Sequence, residues 1–486
     1  MSTVRRYRAG TRLAAVYSRS IEFKKTNEET AMQSEFTMLG SMVAQADIRA
    51  EQTSARTAID QGIRAALLCT LFGVEREAWV WPFRAAPASA LHTQPTATGK
   101  VQVRAAQRNA ARMLGDLMEP LGRIGHLGTL AGASDLDPMD PGPSHTVLAA
   151  TLAACVAQSL LDEQPSDDAN SDAAIGSAVL AGVESAWRVR GAITGTRPGV
   201  GFHSPGVFGT LAAAAAGARM LGLAPDACAS ALAIALTRAS GLGINSAASM
   251  IGMTHFGWGA LHGLEAALLA SQGWDASRDL QRALATLFGE DQARAAAQNL
   301  AVPGTRAADA LVFKRYPCNI YLNLLVAMLE EVIQDGPVDR IEVSMPWVPH
   351  LDCAQPKDLR QARNSAQAVA AIAGAGDVSY AAFSGPPGPW VPGAGVARLL
   401  PNVQLLMDKD APTGLRKAVI GVRAWRGASL IQEAQRSMQS LRGWGAEHAR
   451  RLMGPSDPHD GVAALYNGSY LRGFAHVKAR LASVAP

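Results

Sequence analysis

Cysteine is scarce in this chain of 486 residues and is not arranged for any cysteine chemistry. Cys69, Cys155, Cys228, Cys318 and Cys353 form no C-x-x-C and no other metal-ligand spacing. Their odd number argues against a disulfide framework and points to a reducing compartment. It also removes an iron–sulfur cluster as an explanation of function. Aromatic residues make up only 6 %, which favours close-packed helices over a β-sandwich. Charge of one sign is lacking too: the net charge is +4 and the arginines are scattered, so no nucleic-acid partner is expected. The start, "MSTVRRYRAGTRLAAVYSRS", is basic but has no apolar centre, and it reads as an N-terminal extension over 1–35 rather than a secretory signal. The longest apolar runs are broken by Gly or charge before they reach spanning length, so no membrane partner is expected either. A cytoplasmic location follows as the expectation. No Gly-rich phosphate loop and no internal repeat is visible, and no metal or organic cofactor is expected.

What the chain does have is alanine and leucine at helical spacing. "TSARTAIDQGIRAALLCTLFGV" opens on a good cap at Thr53 or Ser54 and carries an apolar face of period 3.6. After the loop "FRAAPASALHTQPTATGK", further helical stretches fall at about 101–120, 146–162, 172–193, 205–222, 225–240 and 257–272. Near Pro303 the pattern changes. "RIEVSMPWV" and "RKAVIGVRAW" alternate and read as strands, with helices at about 317–334 and 361–373 between them. Helical pattern is expected again from Ser429. The fold class is therefore mainly α: a large all-helical domain built from both chain ends (36–303 and 429–486), plus a smaller inserted α+β lid domain over 304–428.

Three helix starts carry polar residues that a core would not need. "SDLDPMDPGPSH" crowds Asp135, Asp137 and Asp140 among prolines and ends on His145, just before a helix. "GFHSPGVFGTLAAAAAGARMLGL" puts His203 before Ser204, a good cap, and Pro205. "VFKRYPCNIYLNLLVAMLEEV" puts Lys314 and Arg315 before Pro317. Helix N-termini attract anions and bias a histidine toward its neutral form, which suits a general base. The bland alternatives are helix caps or core positions for the histidines, turn formers for the aspartates and a solvated turn for Lys-Arg. Taken alone, the pattern supports an anionic-ligand site.

Together with "THFGWGALHGLEAALLASQGW", these segments resemble the MmgE/PrpD family over most of the chain from about residue 50. The resemblance implies a helical main domain, a smaller lid, a homodimer, and cofactor-free lyase chemistry on a small-molecule carboxylate substrate. Carried over by position, the family's acidic residue falls on Asp135, its histidines on His145 and His203, and its lid-side lysine on Lys314. These four are the expected catalytic residues, with Asp135 orienting an imidazole and Lys314 holding the substrate carboxylate. His255, Arg315, Asp137, Thr254 and Met253 are expected to contact substrate, whereas His262 serves its own helix.

The chain also departs from the family pattern. Pro138 stands in the second half of the acidic motif, Gly132 where a histidine is usual, Gly252 where a lysine is usual, and Ala368 near the place of a tyrosine. The lost lysine and tyrosine imply a larger substrate with fewer negative charges, and poor turnover of 2-methylcitrate, citrate or cis-aconitate. A lyase, by dehydration or decarboxylation, is the first expectation. An isomerase, epimerase or cyclase of specialised metabolism using the same proton transfers is the second, and a non-catalytic binding member the third.

Overall fold

In this computed structural model the described residues are 35–77, 121–140, 145–161, 169–190, 201–301, 307–385, 388–415, 417–441, 445–454 and 461–484. The expected N-terminal extension, the loop after Phe83, the helix at 101–120, Pro143, Ser144 and the change of pattern at Pro303 lie outside them.

Alanine explains how the helices pack. The first helices are α1 (Glu35–Gln45), α2 (Thr53–Arg76), a helical stretch over 121–134, α3 (Thr146–Leu161) and α4 (Ala169–Arg190). They are followed by α5 (Ser204–Met220), α6 (Pro225–Arg238), α7 (Asn245–Ala248), α8 (Ile251–Ser271), α9 (Leu280–Phe288) and α10 (Glu290–Ala301). Helix α5 is buried from Ser204 to Ala218 and touches α3, α4, α6 and α8. Its run of five alanines lets neighbours approach on every side, which bulkier side chains would forbid. Helix α2 is long and apolar enough to cross a membrane by length and composition, yet most of it is buried within this helical core.

A second hydrophobic core surrounds α11 (Ile320–Val332) and a four-stranded sheet of β1 (Arg340–Pro346), β2 (Val403–Asp408), β3 (Val419–Arg426) and β4 (Ser429–Ser437). The strand order is β2-β1-β3-β4, with β1 parallel to β2 and antiparallel to β3. Two short helices, α12 (Leu359–Arg363) and α13 (Ala366–Gly374), lie between β1 and β2, and α14 (Ala394–Leu399) precedes β2. The chain then returns to the helical core through α15 (Ala446–Met453), α16 (Gly461–Asn467) and α17 (Tyr470–Val484), the last two packing on α2. The fold is mainly α with a small α+β part, as the sequence pattern implies.

Two details correct that pattern. Helix was expected from Ser429, but Ser429–Ser437 is strand β4, paired antiparallel with β3. The pairing is set by the two-residue turn Gly427–Ala428, whose glycine has φ +57°, and β4 is an edge strand whose Gln and Glu face water. The helix expected to open at Pro317 begins instead at Ile320, capped by Asn319, whose Oδ1 accepts from Tyr321 N at 3.2 Å.

Candidate active site

The three aspartates of the proline-rich segment have three different sets of partners. Residues 121–134 are helical, and Asp135 ends the helix in the left-handed region at φ +55°. Asp140, fully buried, accepts from Thr146 N at 3.1 Å and Thr146 Oγ1 at 2.8 Å, so it caps α3 from six residues away. Met139 and Val312 exchange two backbone hydrogen bonds of 2.8 Å. That bridge lays the acidic segment beside Lys314. Lys314 Nζ then donates to Asp135 and, at 3.0 Å, to Asp137. The other oxygen of Asp137 is hydrogen-bonded to His145 Nδ1. His145, like Asp135, has a positive φ, +49°. Such backbone conformations cost about 1–3 kcal/mol each and gather at functional sites.

His203 occupies the cap position of α5 but makes no side-chain cap; Ser204 and Pro205 are already helical. The cap expected at Ser204 is therefore one residue early. His203 Nδ1 lies 2.9 Å from Nδ1 of His255 on α8, a residue only 2 % exposed. Gly259 makes this contact possible: a Cβ there would sit 2.3 Å from Pro205 O, so only glycine lets α8 lie directly against the start of α5.

The electrostatics of the site are governed by burial and by the Asp–Lys contacts. Burial, reinforced by His145 and His255, pushes the His203 pKa down to about 3. Burial lowers His255 as well. Burial works against a charged Asp137, but Lys314 and His145 outweigh it and hold that carboxyl below its usual range. Burial likewise opposes a charged Lys314, yet Asp135 and Asp137 keep its pKa above the ordinary lysine value. Burial raises Asp140, against the hydrogen bonds it accepts from Thr146.

A cavity of about 650 Å³ lies between the two hydrophobic cores. It is lined by Asp135, His145, His203, Met253, Phe256 and Lys314 together with Trp347, His350, Arg360, Arg363, Asn364 and Lys409. The ring centres of His145 and His203 are 6.3 Å apart, with Phe256 edge-on to both. Thus Asp135, His145, His203, Lys314 and Met253 share one cavity. Asp137 and His255 sit behind it as partners of the two histidines. Among the described residues no three His, Cys, Asp or Glu converge as metal ligands.

Several expectations need correction. Asp137, not Asp135, orients an imidazole; Asp135 is taken by Lys314. Lys314 has both acids as partners, so it is not a free cation awaiting a carboxylate. Arg315 points away from its neighbour. It lines a separate cleft with Glu330 and Arg451, and its guanidinium lies 3.3 Å from His448 Nδ1. Thr254 is half-buried, donates to Ile251 O, and does not line the cavity.

The departures from the family pattern also look different in three dimensions. No space is freed at Gly252, where a Cβ would meet Asn245 O at 2.4 Å. The ring of Phe256 fills the place beside Gly132. Ala368 is fully buried in α13, away from the cavity lining.

One element of the site gave no sequence signal. Glu77, fully buried at the end of α2, accepts from Arg363 at 2.9 Å, Tyr380 at 2.9 Å and Ser384 at 2.7 Å. Arg363 also donates to Ala133 O at 2.8 Å, which ties both cores to the turn that carries Asp135.

The chain matches the MmgE/PrpD N-terminal domain over residues 39–283. It is 29 % identical to human cis-aconitate decarboxylase over 182 residues, 35 % of this chain and 38 % of that protein. It is 34 % identical to the cis-aconitate decarboxylase of Aspergillus terreus over 143 residues, 29 % of each chain. To the mouse protein of that name it is 47 % identical over 72 residues, 15 % of this chain and 14 % of that one. These matches span less than two fifths of the length of the relatives.

Proposed function

The chain belongs to the MmgE/PrpD family, and on that premise we propose that it is a lyase that decarboxylates a small carboxylic acid by proton transfer through His145. The observation that carries this reading is the asymmetry of the two imidazoles. Asp137 accepts a hydrogen bond from His145 Nδ1–H, which fixes the tautomer and leaves Nε2 for the substrate, as the acid of a catalytic triad does. His203 is held neutral by burial and does not trade protons near pH 7. In this reading His255 donates from Nδ1 to His203 Nδ1, so His203 carries its own proton on Nε2 and acts as a fixed donor.

Decarboxylation needs one proton carrier and one such donor. The bond to the departing carboxyl breaks, and its electron pair moves onto the adjacent carbon and into a conjugated carboxylate or carbonyl. His203 stabilises the charge that develops on that oxygen. His145, entering as the imidazolium with its second proton on Nε2, delivers that proton to the carbon as CO₂ leaves, and the neutral imidazole takes a new proton from water. Dehydration would ask for two proton-exchanging groups, and a histidine with a pKa of about 3 is a poor second. The names of the relatives support the same choice.

A homodimer is proposed as the assembly. The apolar residues Leu242, Ile244, Met250, Ile251 and Trp258, 39–65 % exposed around the start of α8, support it, and sedimentation would measure it.

The test is CO₂ release from a panel of unsaturated mono-, di- and tricarboxylic acids in D₂O, cis-aconitate included. One deuterium should enter the product at the carbon that lost CO₂. His145→Gln should lower kcat by about 10²–10⁴-fold. Loss of water from substrate without CO₂ would overturn the reading.

A further inference from the structure

Four cationic side chains line the cavity, but two of them are already neutralised. Lys314 is held by Asp135 and Asp137, and Arg363 by Glu77. Arg360 and Lys409 are different. Arg360 has one acid nearby, Asp358, with Nη2 and Oδ2 3.6 Å apart, too long for a hydrogen bond. Asp358 is committed elsewhere: its other oxygen caps α12 through Gln361 N at 2.8 Å. Arg360 Nε and Nη1 are buried and have no acceptor among the described residues. Lys409 has no carboxylate within ion-pair distance among the described residues; its ammonium lies 5.0 Å above the Trp347 ring.

From this we infer that Arg360, assisted by Lys409, forms a subsite for a second anionic group of the substrate, remote from the reacting carbon. This rests on the cavity being the active site proposed above. A buried N–H without an acceptor has lost its bond to water and gained none in return, so the resting position of the guanidinium is unfavourable. Turning about its last side-chain bonds presents the unpaired edge to the cavity, where a planar carboxylate can accept two parallel hydrogen bonds. Lys409 adds a point charge at the rim. The substrate class is then an acid with a second carboxylate several bonds from the first. The charge lost with a lysine at Gly252 is supplied from α12 and the end of β2, so the expectation of a substrate with fewer charges gives way to one with a distal anion.

Calorimetric titration of the full chain with succinate, glutarate and adipate, and with their monomethyl esters, tests this without requiring turnover. The best-fitting diacid should bind about tenfold or more tightly than its monoester. Arg360→Gln should bring that ratio near one. Arg360→Lys should retain part of it, because a point charge replaces a fork. Lys409→Gln, at an exposed residue that poses no risk to folding, should lower the ratio a few-fold. A wild-type protein with no preference for the diacid, or a ratio unchanged in Arg360→Gln or in both Arg360→Lys and Lys409→Gln, would overturn the subsite. Absence of CO₂ release from every acid would instead sink the lyase reading, and the binding result would stand apart from it.

Discussion

Replacing Asp137 by Asn keeps the shape of the side chain and removes the charge on which two neighbours depend. Asp137 is 1 % exposed, and it holds both His145 Nδ1 and, at 3.0 Å, Lys314 Nζ. Breaking a buried ion pair by removing one partner costs about 3–5 kcal/mol. Because Asp135 remains on Lys314, the lower part of that range, about 3 kcal/mol, is expected here. The cost to the reaction should be larger. An amide at position 137 can donate to Nδ1 and so favour the tautomer with its proton on Nε2, and a comparable Asp-to-Asn change in a catalytic triad lowers kcat by about 10⁴-fold. We expect 10³- to 10⁴-fold, about 4–5.5 kcal/mol of barrier.

The stability loss has a pH signature. The folded pKa of Asp137 is held below its reference of 3.8, so its contribution is fully present above that value and is lost as pH falls through the folded one. Urea unfolding of wild type and Asp137→Asn, measured from pH 7 downward, should therefore show a difference that is constant above about pH 5 and shrinks below about pH 4. CO₂ release gives kcat on the same preparations. A pH-independent stability difference, or a kcat within about tenfold of wild type, would refute the assignment of Asp137 as the partner that orients His145.

Three other perturbations follow from the same geometry. His203 titrates at about 3 when folded and 6.5 as its reference, so the unfolded chain binds the extra proton in that window and wild-type stability should rise with pH across it, by about 1.4 kcal/mol per unit. Unfolding of His203→Gln should lack that slope, and an unchanged acid limb would contradict the burial argument. Gly252→Ala forces a Cβ to 2.4 Å from Asn245 O and should cost about 1–3 kcal/mol or more by urea unfolding; a variant as stable as wild type would show that α7 can move aside. Glu77→Gln leaves Arg363 buried without its acid and should cost about 3–5 kcal/mol, whereas Glu77→Gln with Arg363→Met should recover part of that in a double-mutant cycle. Additive losses in that cycle would mean that the pair is not coupled.

How much of this was legible in advance can be read from particular residues. The helical core was, because Ala and Leu at helical spacing act through neighbours within one turn, and strands β1 and β3 announced themselves by alternation. Strand β2 gave no signal that was read, and β4 carries the Gln, Glu and Ala of a helix former. Its state was settled by a two-residue turn and a partner strand. The convergence of Asp135, His145, His203 and Lys314 was foreseen through motifs, but the pairing among them was not.

Sequence by itself determined the local chemistry: which helix starts carry histidine, which segment carries acids, and that no cysteine pattern supplies an alternative. Tertiary structure decided the partners. Asp135 and Asp137 are two residues apart and chemically alike, and only the bridge from Met139 to Val312 selects which meets Lys314 alone and which also meets His145. Glu77 reaches Arg363 across 286 positions of sequence, and Arg360 is left without a firm partner because Asp358 caps its helix. Electrostatic pairing depends on distance and burial, and both are set by how the helical core and the sheet pack together rather than by spacing along the chain.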